Sequence, residues 1–293
     1  MSEKPYNTPR NEHSSCGQLM LVATPIGNLA DISARALDSL READAILCED
    51  TRVTTKLIRH YGITNTLIPV HDHNEQDRIP SLIARLHNGE RLAFVSDAGT
   101  PIVSDPGYRL VRAALQAGLA VTSLPGANAA ITALTLSGLP PIPFMFLGFP
   151  ARGEARKHHF ASLRAQEQAG LAATLVWYES PHRLCDTLDT LKDVFGEKRE
   201  AAVGRELSKR FEEMVRGSLA EVAAHFRQNA PRGEITLLLG PPPADDTGAQ
   251  DLDQALTEAL RTHSVKDAAT LVAGMVNLPK RTVYSRALEL SRK

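Results

Sequence analysis

The segment from Phe94 to Gly107, which reads FVSDAGTPIVSDPG, constrains the fold of this chain more than any other. It begins inside the apolar run Leu92–Val95, which is typical of a buried strand. It ends before an apolar-periodic stretch that is typical of a helix. Loops at the carboxyl ends of strands in open α/β sheets lie at the edge where ligands bind, so the segment predicts a ligand loop. The alternative is a structural turn, in which Asp105 caps the next helix with Pro106 at its first position.

Length and composition indicate an ordinary globular protein. The chain has 293 residues, enough for two domains and an appendage, and its net charge of −1 argues against a generally basic nucleic-acid binder. Cys16, Cys48 and Cys185 are far apart, so no disulfide framework or zinc site is indicated and a cytoplasmic location is favoured. Because no apolar run approaches the roughly 20 residues of a membrane span, no membrane association is expected. The polar residues 1–17 predict a disordered tail.

The first strand predicted, Leu19–Ala23, runs into a turn that reads TPIGN, and Asp31 is expected to cap the helix that follows. This order is typical of the start of a βαβ unit. The chain contains neither G-x-G-x-x-G nor G-x-x-x-x-G-K-[ST], so neither a classical dinucleotide fold nor a P-loop is indicated.

Two further turns carry polar side chains. The second predicted strand, Ala45–Cys48, ends in Glu49-Asp50-Thr51-Arg52, which is either part of a functional site or the N-cap of the next helix. The run His71 to Glu75 resembles a metal cluster in composition. No other His or Cys cluster completes such a site, so we expect a polar or substrate-facing loop and no metal.

A second α/β block is predicted after the turn Pro125–Asn128 and the proline-rich stretch near Pro140. Small residues at that turn would let a bound group approach a helix N-terminus, or would only permit close packing. In the second block, YESPHR begins at Tyr178, with Ser180 as the expected N-cap, and GRELSKR begins at Gly204.

Linker composition from Pro241 to Gly248 precedes two amphipathic helices, at 265–275 and 281–290, whose spacing is typical of a helix-turn-helix. Residues 261–293 hold seven Lys or Arg against two Asp or Glu, a surplus of five positive charges. This module is predicted either to face a phosphate backbone or to serve in dimerisation or packing. The predicted domains are 18–127, 128–240 and 249–293.

Six ordered motifs, VATPIGNLADIS, CEDTR, SDAGTPIVSDPG, LPGANAAITAL, YESPHR and GRELSK, resemble the tetrapyrrole methylase superfamily, and particularly its ribosomal RNA branch. The resemblance implies two α/β domains of the class III methyltransferase type plus a small C-terminal helix-turn-helix-like module. It also implies S-adenosylmethionine as cofactor, and as substrate the ribose 2′-oxygen of cytidine 1402 in 16S rRNA of the small ribosomal subunit. A homodimer is expected on the same basis.

The resemblance also assigns residues by motif. For the cofactor it implies Pro25, Asp97, Ala98, Gly99, Ile102, Asn128, Ala129, Tyr178, Glu179 and Glu206. Candidates for catalysis on the substrate side are Glu49, Asp50, Arg52 and Lys209, with Asp105 and Arg205 as alternatives. The TPIGN turn departs from the superfamily's usual G-P-G-D, which speaks against porphyrin contacts there. Two other functions remain open, a small-molecule tetrapyrrole methylase and a non-enzymatic rRNA-binding assembly factor.

Overall fold

The computed structural model describes residues 17–243, 249–276 and 280–291. Nearly all of the predicted tail, most of the linker after Pro241 and the turn at 277–279 lie outside the described residues. The strands are β1 Gln18–Val22, β2 Ala45–Cys48, β3 Leu67–Pro69, β4 Arg91–Val95, β5 Ala120–Leu124, β6 Phe144–Phe146, β7 Thr174–Glu179, β8 Glu200–Arg205, β9 Glu213–Ser218 and β10 Ile235–Leu239. The helices are α1 Ala34–Glu42, α2 Thr51–His60, α3 Glu75–His87, α4 Tyr108–Gln116, α5 Ala129–Ser137, α6 Gly153–Gln168, α7 Leu184–Phe195, α8 Leu219–Gln228, α9 Ala249–Leu260, α10 Val265–Val276 and α11 Lys280–Leu290.

The first sheet has the order β3-β2-β4-β1-β5, and all of its pairings are parallel. Its central strands are continuous apolar runs because both faces are covered by helices. Ile46 packs on the side of α1 and α2, whereas its neighbour Leu47 packs with Phe94 on the side of α3 and α4. Parallel pairing brings the carboxyl ends of all five strands to one edge, so the turns that follow them are neighbours.

The second sheet has the order β6-β7-β10-β8-β9. Trp177 of β7 is fully buried and packs edge-on against Phe160 of α6, with ring centroids 5.6 Å apart. A buried ion pair joins Arg199 to Glu167, and the Arg199 Nε also donates to the Gly240 carbonyl at 2.7 Å. These bonds satisfy charges that would be costly if left unpaired.

The described residues divide into two compact units. The first unit comprises the residues up to Leu136, together with Gly204–Met214 and Gly233–Thr236. The second unit comprises Ser137–Val203, Val215–Arg232 and the residues from Leu237 onward. The loop between β8 and β9 therefore belongs to the first unit, although most of β8 belongs to the second.

The C-terminal helices α9, α10 and α11 form a cluster with an apolar centre that includes Leu256, Val272 and Val283. Arg286 ties α11 to α9 through Asp253, and its Nε lies 2.7 Å from the Asp253 Oδ1. The helix α9 was not among the helices predicted from the sequence. No helix of the described residues is long and apolar enough to cross a membrane.

Three expected N-caps, Asp31, Ser180 and, in the alternative interpretation, Asp105, are wrong. The helix α1 is capped by Ser33, because Leu29–Asp31 forms a separate 3-10 turn that is capped by Asn28. The helix α7 begins at Leu184, since the residues expected to open it form a turn. The helix α4 begins at Tyr108, so Asp105 and Pro106 do not cap it. A capping box formed by Ser218 and Glu221 opens α8.

Candidate functional site

The turns after β1, β4 and β5 meet around Gly99 in the first unit. Thr24 and Gly99 exchange two backbone hydrogen bonds, with N···O distances of 2.8 and 3.0 Å. Thr100 Oγ1 donates to the Ala127 carbonyl at 3.1 Å, which joins the turn after β4 to the turn after β5. Gly99 has a φ of +80°, where side chains are strained, so this meeting point favours glycine.

The turn after β2 is joined to the same edge by Asp97. Its Oδ1 accepts a hydrogen bond from the backbone N–H of Asp50 at 3.2 Å. Asp50 itself caps α2, since its Oδ1 accepts from the Arg52 N–H at 2.8 Å, and its carboxylate also pairs with the Arg52 guanidinium. The capping interpretation of this turn is therefore confirmed. The hydrogen bond and charge of Arg52 lower the pKa of Asp50 to about 2.

A cluster of carboxylates lies at this edge. The pKa of Glu49 is raised by burial and then by the charge of Asp97. The pKa of Asp97 is raised by burial, although the Asp50 N–H acts in the opposite direction. For Asp105, burial and the charge of Glu49 raise the pKa to about 6, against a hydrogen bond from Ser96 that lowers it. Such a cluster has a high affinity for protons and for other positive charge.

The backbone around Asp105 explains why its carboxylate is not used as a helix cap. Ile102 and Ser104 have φ values of 77° and 69°, and Gly107, which precedes α4, has a φ of 116°. The α4 N-terminus is capped instead by Glu75 of α3, whose Oε1 accepts from the Leu110 N–H at 2.9 Å. Residues held at positive φ without being glycine are strained and cluster at functional sites.

The run His71 to Glu75 does not form a common ligand set. Glu75 is 3% exposed and is committed to Leu110, while Asn74 accepts a hydrogen bond from the His71 N–H at 2.9 Å. Across the described residues, no group of three or more His, Cys, Asp or Glu side chains could hold a metal ion. Asp72 contributes to the charge that surrounds Glu49 and Asp105.

The turn after β5 contributes Asn128 and Ala129 at the start of α5. Asn128 Oδ1 accepts from the Ile131 N–H at 3.1 Å, so its side chain caps this helix. Gly126 lies so close to Ala23 that an added Cβ would stand 2.9 Å from the Ala23 Cβ. The small residues here therefore serve close packing, and they also bring the α5 N-terminus to the edge of the sheet.

The loop between β8 and β9 folds against the turn after β1. Ser208 Oγ donates to the Asp31 carboxylate, and the alkyl stem of Lys209 covers Gly27. Lys209 Nζ lies 2.8 Å from Glu206 Oε1 and 3.2 Å from Glu234 Oε2. Burial favours the neutral amine, but the hydrogen bond to Glu206 and the charge of Glu234 prevail and raise the pKa of Lys209. Lys209 is thus held as a cation.

In the second unit, Tyr178 and Glu179 end β7. The Tyr178 ring packs edge-on against Phe146 at a centroid distance of 4.8 Å. The Glu179 carboxylate is buried and accepts from Thr187 Oγ1 at 2.6 Å and from its neighbour's N–H at 2.8 Å. It is also paired with Arg183. The side chain of Glu179 therefore organises the turn, in which Tyr178 is half-buried and His182 is exposed.

The first unit brings together most of the residues predicted for the site. Those that lie in its converging turns or in the loop packed on them are Pro25, Glu49, Asp50, Arg52, Asp97, Ala98, Gly99, Ile102, Asp105, Asn128, Ala129, Glu206 and Lys209. Thr24, Thr100, Asp31 and Ser208 join the turns, and none of them was predicted as a site residue. Their signal was weak, because each is a single polar residue whose partner is distant along the chain.

Two family models together match most of the chain. The model of the tetrapyrrole (corrin/porphyrin) methylases matches residues 18–223, and that of the RsmI C-terminal HTH domain matches residues 246–291. The ribosomal RNA small subunit methyltransferase I of Mesorhizobium japonicum is 44% identical over 93% of this chain and 92% of its own. The chain belongs to the ribosomal RNA small subunit methyltransferase I family. The enzyme of the same name from Escherichia coli O157:H7 is 42% identical over 94% of this chain and 96% of its own.

Solved structures confirm the fold of this family. A uroporphyrin-III C-methyltransferase from Thermus thermophilus, complexed with S-adenosyl homocysteine, has a TM-score of 0.54 and 19% identity. The match covers 76% of this chain and 97% of the chain in that structure. The methyltransferase CobJ gives a TM-score of 0.58 at 19% identity, covering 77% of this chain and 94% of that one. The predicted fold class, the predicted family and the assignment as an S-adenosylmethionine-dependent methyltransferase are confirmed.

The edge of the first sheet fits such a cofactor chemically. S-adenosylmethionine carries a sulfonium cation, and Glu49, Asp97 and Asp105 supply negative charge at this edge. Asp97 uses one oxygen for the Asp50 N–H and retains another acceptor. Ala98 and Gly126 are exposed and Ala129 is half-buried, and such small residues allow a ligand to approach the backbone closely.

Proposed function

We propose that the chain methylates the ribose 2′-oxygen of cytidine 1402 in 16S rRNA, with S-adenosylmethionine as the methyl donor. The ribosomal substrate is supported by the names of the relatives and by the match of residues 246–291 to the RsmI C-terminal HTH domain. The proposed setting is the small ribosomal subunit in the cytoplasm, and the proposed form is a homodimer. The observation that carries the proposal is the meeting of three turns at Gly99 beside the carboxylate cluster.

The proposed cofactor residues divide by unit. In the first unit they are Pro25, Asp97, Ala98, Gly99, Ile102, Asn128, Ala129 and Glu206, and in the second unit Tyr178 and Glu179. Asp97 would accept hydrogen bonds from the cofactor, while Gly99 and its neighbours would present backbone carbonyls. Glu179 would act by holding the turn that presents Tyr178, because its own carboxylate is occupied.

The bound cofactor supplies an electrophilic methyl group, and the chain must supply positioning and a place for one proton. A ribose hydroxyl is a weak nucleophile until its proton is removed or strongly hydrogen-bonded. Holding the reacting atoms in attack geometry can contribute about 7–11 kcal/mol, so positioning by rigid turns is expected to dominate. The hydrogen bonds among Thr24, Gly99 and Thr100 provide that rigidity.

Among the candidate catalytic residues, Asp105 is the proposed acceptor of the proton of the ribose hydroxyl. Its pKa, raised to about 6 by burial and by Glu49, lets it be ionised near neutral pH and still bind a proton well. Asp50 is a weaker candidate, since Arg52 holds its pKa at about 2. Arg52 and Lys209 would act as cations toward phosphate, with Glu49 tuning the proton affinity of Asp105.

The proposed RNA contacts include exposed cations of the C-terminal helices. Arg261, Lys266, Lys280 and Arg281 are exposed, and none has an ion-pair partner among the described residues. Lys157 of α6 is also exposed but is paired with Glu154 at 3.3 Å. Free surface cations suit an RNA backbone, because neutralising phosphates releases counterions.

The test is methyl transfer from labelled S-adenosylmethionine to small ribosomal subunits that lack the modification. Digestion of the product to nucleosides should yield label in 2′-O-methylcytidine, and primer extension should locate it at one nucleotide. Label in a supplied tetrapyrrole but not in RNA would instead support the small-molecule alternative. Binding of subunits without any transfer would support the assembly-factor alternative. The Asp97→Ala variant serves as the control for enzyme-dependent label.

A further inference from the structure

One exposed aromatic residue lies on the loop that packs against the candidate site. Phe211 is 65% exposed and follows Arg210 near the tip of the loop between β8 and β9. The Arg210 guanidinium carbon lies 5.5 Å from the centroid of the Phe211 ring. An exposed ring covered on one side by a guanidinium presents both an apolar surface and a positive charge.

The loop that carries Arg210 and Phe211 is held in place by hydrogen bonds and ion pairs, so Phe211 is exposed on an anchored segment of the backbone. Ser208 is bonded to Asp31, and Lys209 is bonded to Glu206 and Glu234. The Glu212 carboxylate accepts the Ser208 N–H at 2.6 Å, and the Glu212 N–H donates to the Lys209 carbonyl at 3.1 Å. Ring and guanidinium are therefore presented on a preorganised backbone, which lowers the entropic cost of binding.

The charges of the loop single out Arg210. Arg205 is paired with Glu213 at 2.9 Å, and Lys209 is paired with two carboxylates. Within the parts of the chain that the structure describes, Arg210 has no acidic partner. Its charge is thus available to an anion from outside the protein, and the aromatic ring lies directly beneath it.

We propose that Arg210 and Phe211 form a stacking platform for an unpaired base of the RNA substrate, with Arg210 also reaching the adjoining phosphate. The proposal rests on the proposed RNA substrate. Unpaired bases are commonly bound by stacking on aromatic rings and guanidinium planes, while phosphates take up the nearby positive charge. A purely apolar partner surface would gain nothing from the unpaired guanidinium.

The location of the platform agrees with this role. The same loop touches Gly27 and Asp31, which follow β1, and the turn after β1 is one of the three that meet at Gly99. A base held on Phe211 would therefore be fixed to the same unit as most of the proposed cofactor residues. In single-stranded RNA the bases can be splayed out of regular stacking, and a stacking surface would hold one nucleotide in a fixed position relative to the methyl donor.

The first experiment uses a fluorescent reporter in the full-length protein. The chain has one tryptophan, Trp177, which is fully buried, so a Phe211→Trp variant adds the one exposed indole. Titration with a short single-stranded RNA should quench its emission, and the same length of double-stranded RNA should do so much less. Emission that does not respond to single-stranded RNA would overturn the proposal.

The second experiment measures methylation of small subunits by Phe211→Ala and Arg210→Ala. Loss of one stacked base is worth about 1–3 kcal/mol, so Phe211→Ala should raise KM for subunits at least about five-fold. Affinity for S-adenosylmethionine should stay within two-fold, and Phe211→Tyr should restore KM. Arg210→Ala should weaken RNA binding and also reduce its salt dependence.

Leu115→Ala provides the matched control, because Leu115 is 60% exposed near the end of α4 that is remote from the site. It should leave KM unchanged. A Phe211→Ala variant with normal KM, or one that changes only the oligomeric mass or binding of a protein partner, would overturn the proposal. If the wild-type protein methylates no subunits, the proposed function fails, and the tryptophan titration still decides whether RNA binds this platform.

Discussion

The carboxylate of Asp97 accepts a hydrogen bond from the backbone N–H of Asp50 at 3.2 Å. This bond joins the turns after two adjacent parallel strands, β4 and β2. It orients Asp97 by a backbone group that cannot titrate, and it leaves a second carboxylate oxygen for a ligand. The same residue contributes to the raised pKa of Glu49 and of Asp105, so one side chain would link the proposed cofactor binding to the charge of the site.

Replacing Asp97 with alanine should weaken binding of S-adenosylmethionine by about ten-fold or more. A hydrogen bond to a charged group contributes about 1.5–3 kcal/mol, and the variant loses both the acceptor and the negative charge. Isothermal titration calorimetry measures the change, with Asp97→Asn as the matched variant that keeps an acceptor but not the charge. Near-normal affinity of Asp97→Ala would remove this residue from the proposed cofactor site.

The pH dependence of methyl transfer should follow Asp105. A proton acceptor works only when ionised, so kcat/KM for subunits should rise about ten-fold per pH unit below pH 6 and level off above it. Asp105→Asn should lower the rate about 10²–10⁴-fold and abolish this inflection. Rates measured between pH 5 and 8 test the prediction. Persistence of the inflection in the Asn variant would assign it to another group.

Protonation of Asp105 should stabilise the fold, although it should slow methyl transfer. Because its folded pKa of about 6 exceeds the unfolded value of about 4, the folded protein binds the proton more tightly between these values. Its stabilising contribution is thus present below pH 4 and is lost as the pH rises through 6. At pH values above 6, Asp105→Asn should raise the midpoint temperature of thermal unfolding. Near pH 4 the substitution should have little effect on this temperature. Glu197→Gln controls for the loss of one exposed charge, and a pH-independent difference would contradict the argument.

The sequence predicted those parts of the fold that depend on neighbouring residues. The strand expected at Leu92–Val95 is β4, because a continuous apolar run suits a parallel strand covered on both faces. The turns that follow the strands were also predicted, since proline, glycine and aspartate favour turns locally. Parallel pairing then brought these turns to one edge, as expected for this class of sheet.

Contacts between distant residues could not be predicted in this way. Asp105 satisfies every local rule for a helix cap, yet Glu75 caps α4 from another helix. The positive φ of Ile102 has no local signal, because β-branched residues disfavour that conformation. The packing of Lys209 on Gly27 joins two motifs that lie far apart in the chain. Each of these features depends on the tertiary structure, which local patterns do not encode.

Neutralising the exposed cations of the C-terminal helices should weaken RNA binding without affecting the cofactor. The variant Arg261→Ala, Lys266→Ala, Arg281→Ala removes three exposed side chains, which lie directly after α9, on α10 and on α11. If each of them binds a phosphate, the slope of log K against log salt should fall by about 0.7–0.9 for every phosphate that is no longer neutralised. Binding of subunits at several salt concentrations measures this slope. An unchanged slope would favour a packing role for these helices.

The contact between Gly27 and Lys209 predicts a coupled pair of substitutions. A Cβ at Gly27 would overlap the stem of Lys209, so Gly27→Ala should displace Lys209 and break its bonds to Glu206 and Glu234. We expect a loss of about 1–3 kcal/mol in the free energy of unfolding, as for other overpacked sites. In a Lys209→Ala background the same change should cost much less, because the space is vacant. Denaturant unfolding of the four proteins gives the coupling energy, and purely additive losses would show that the two residues do not interact.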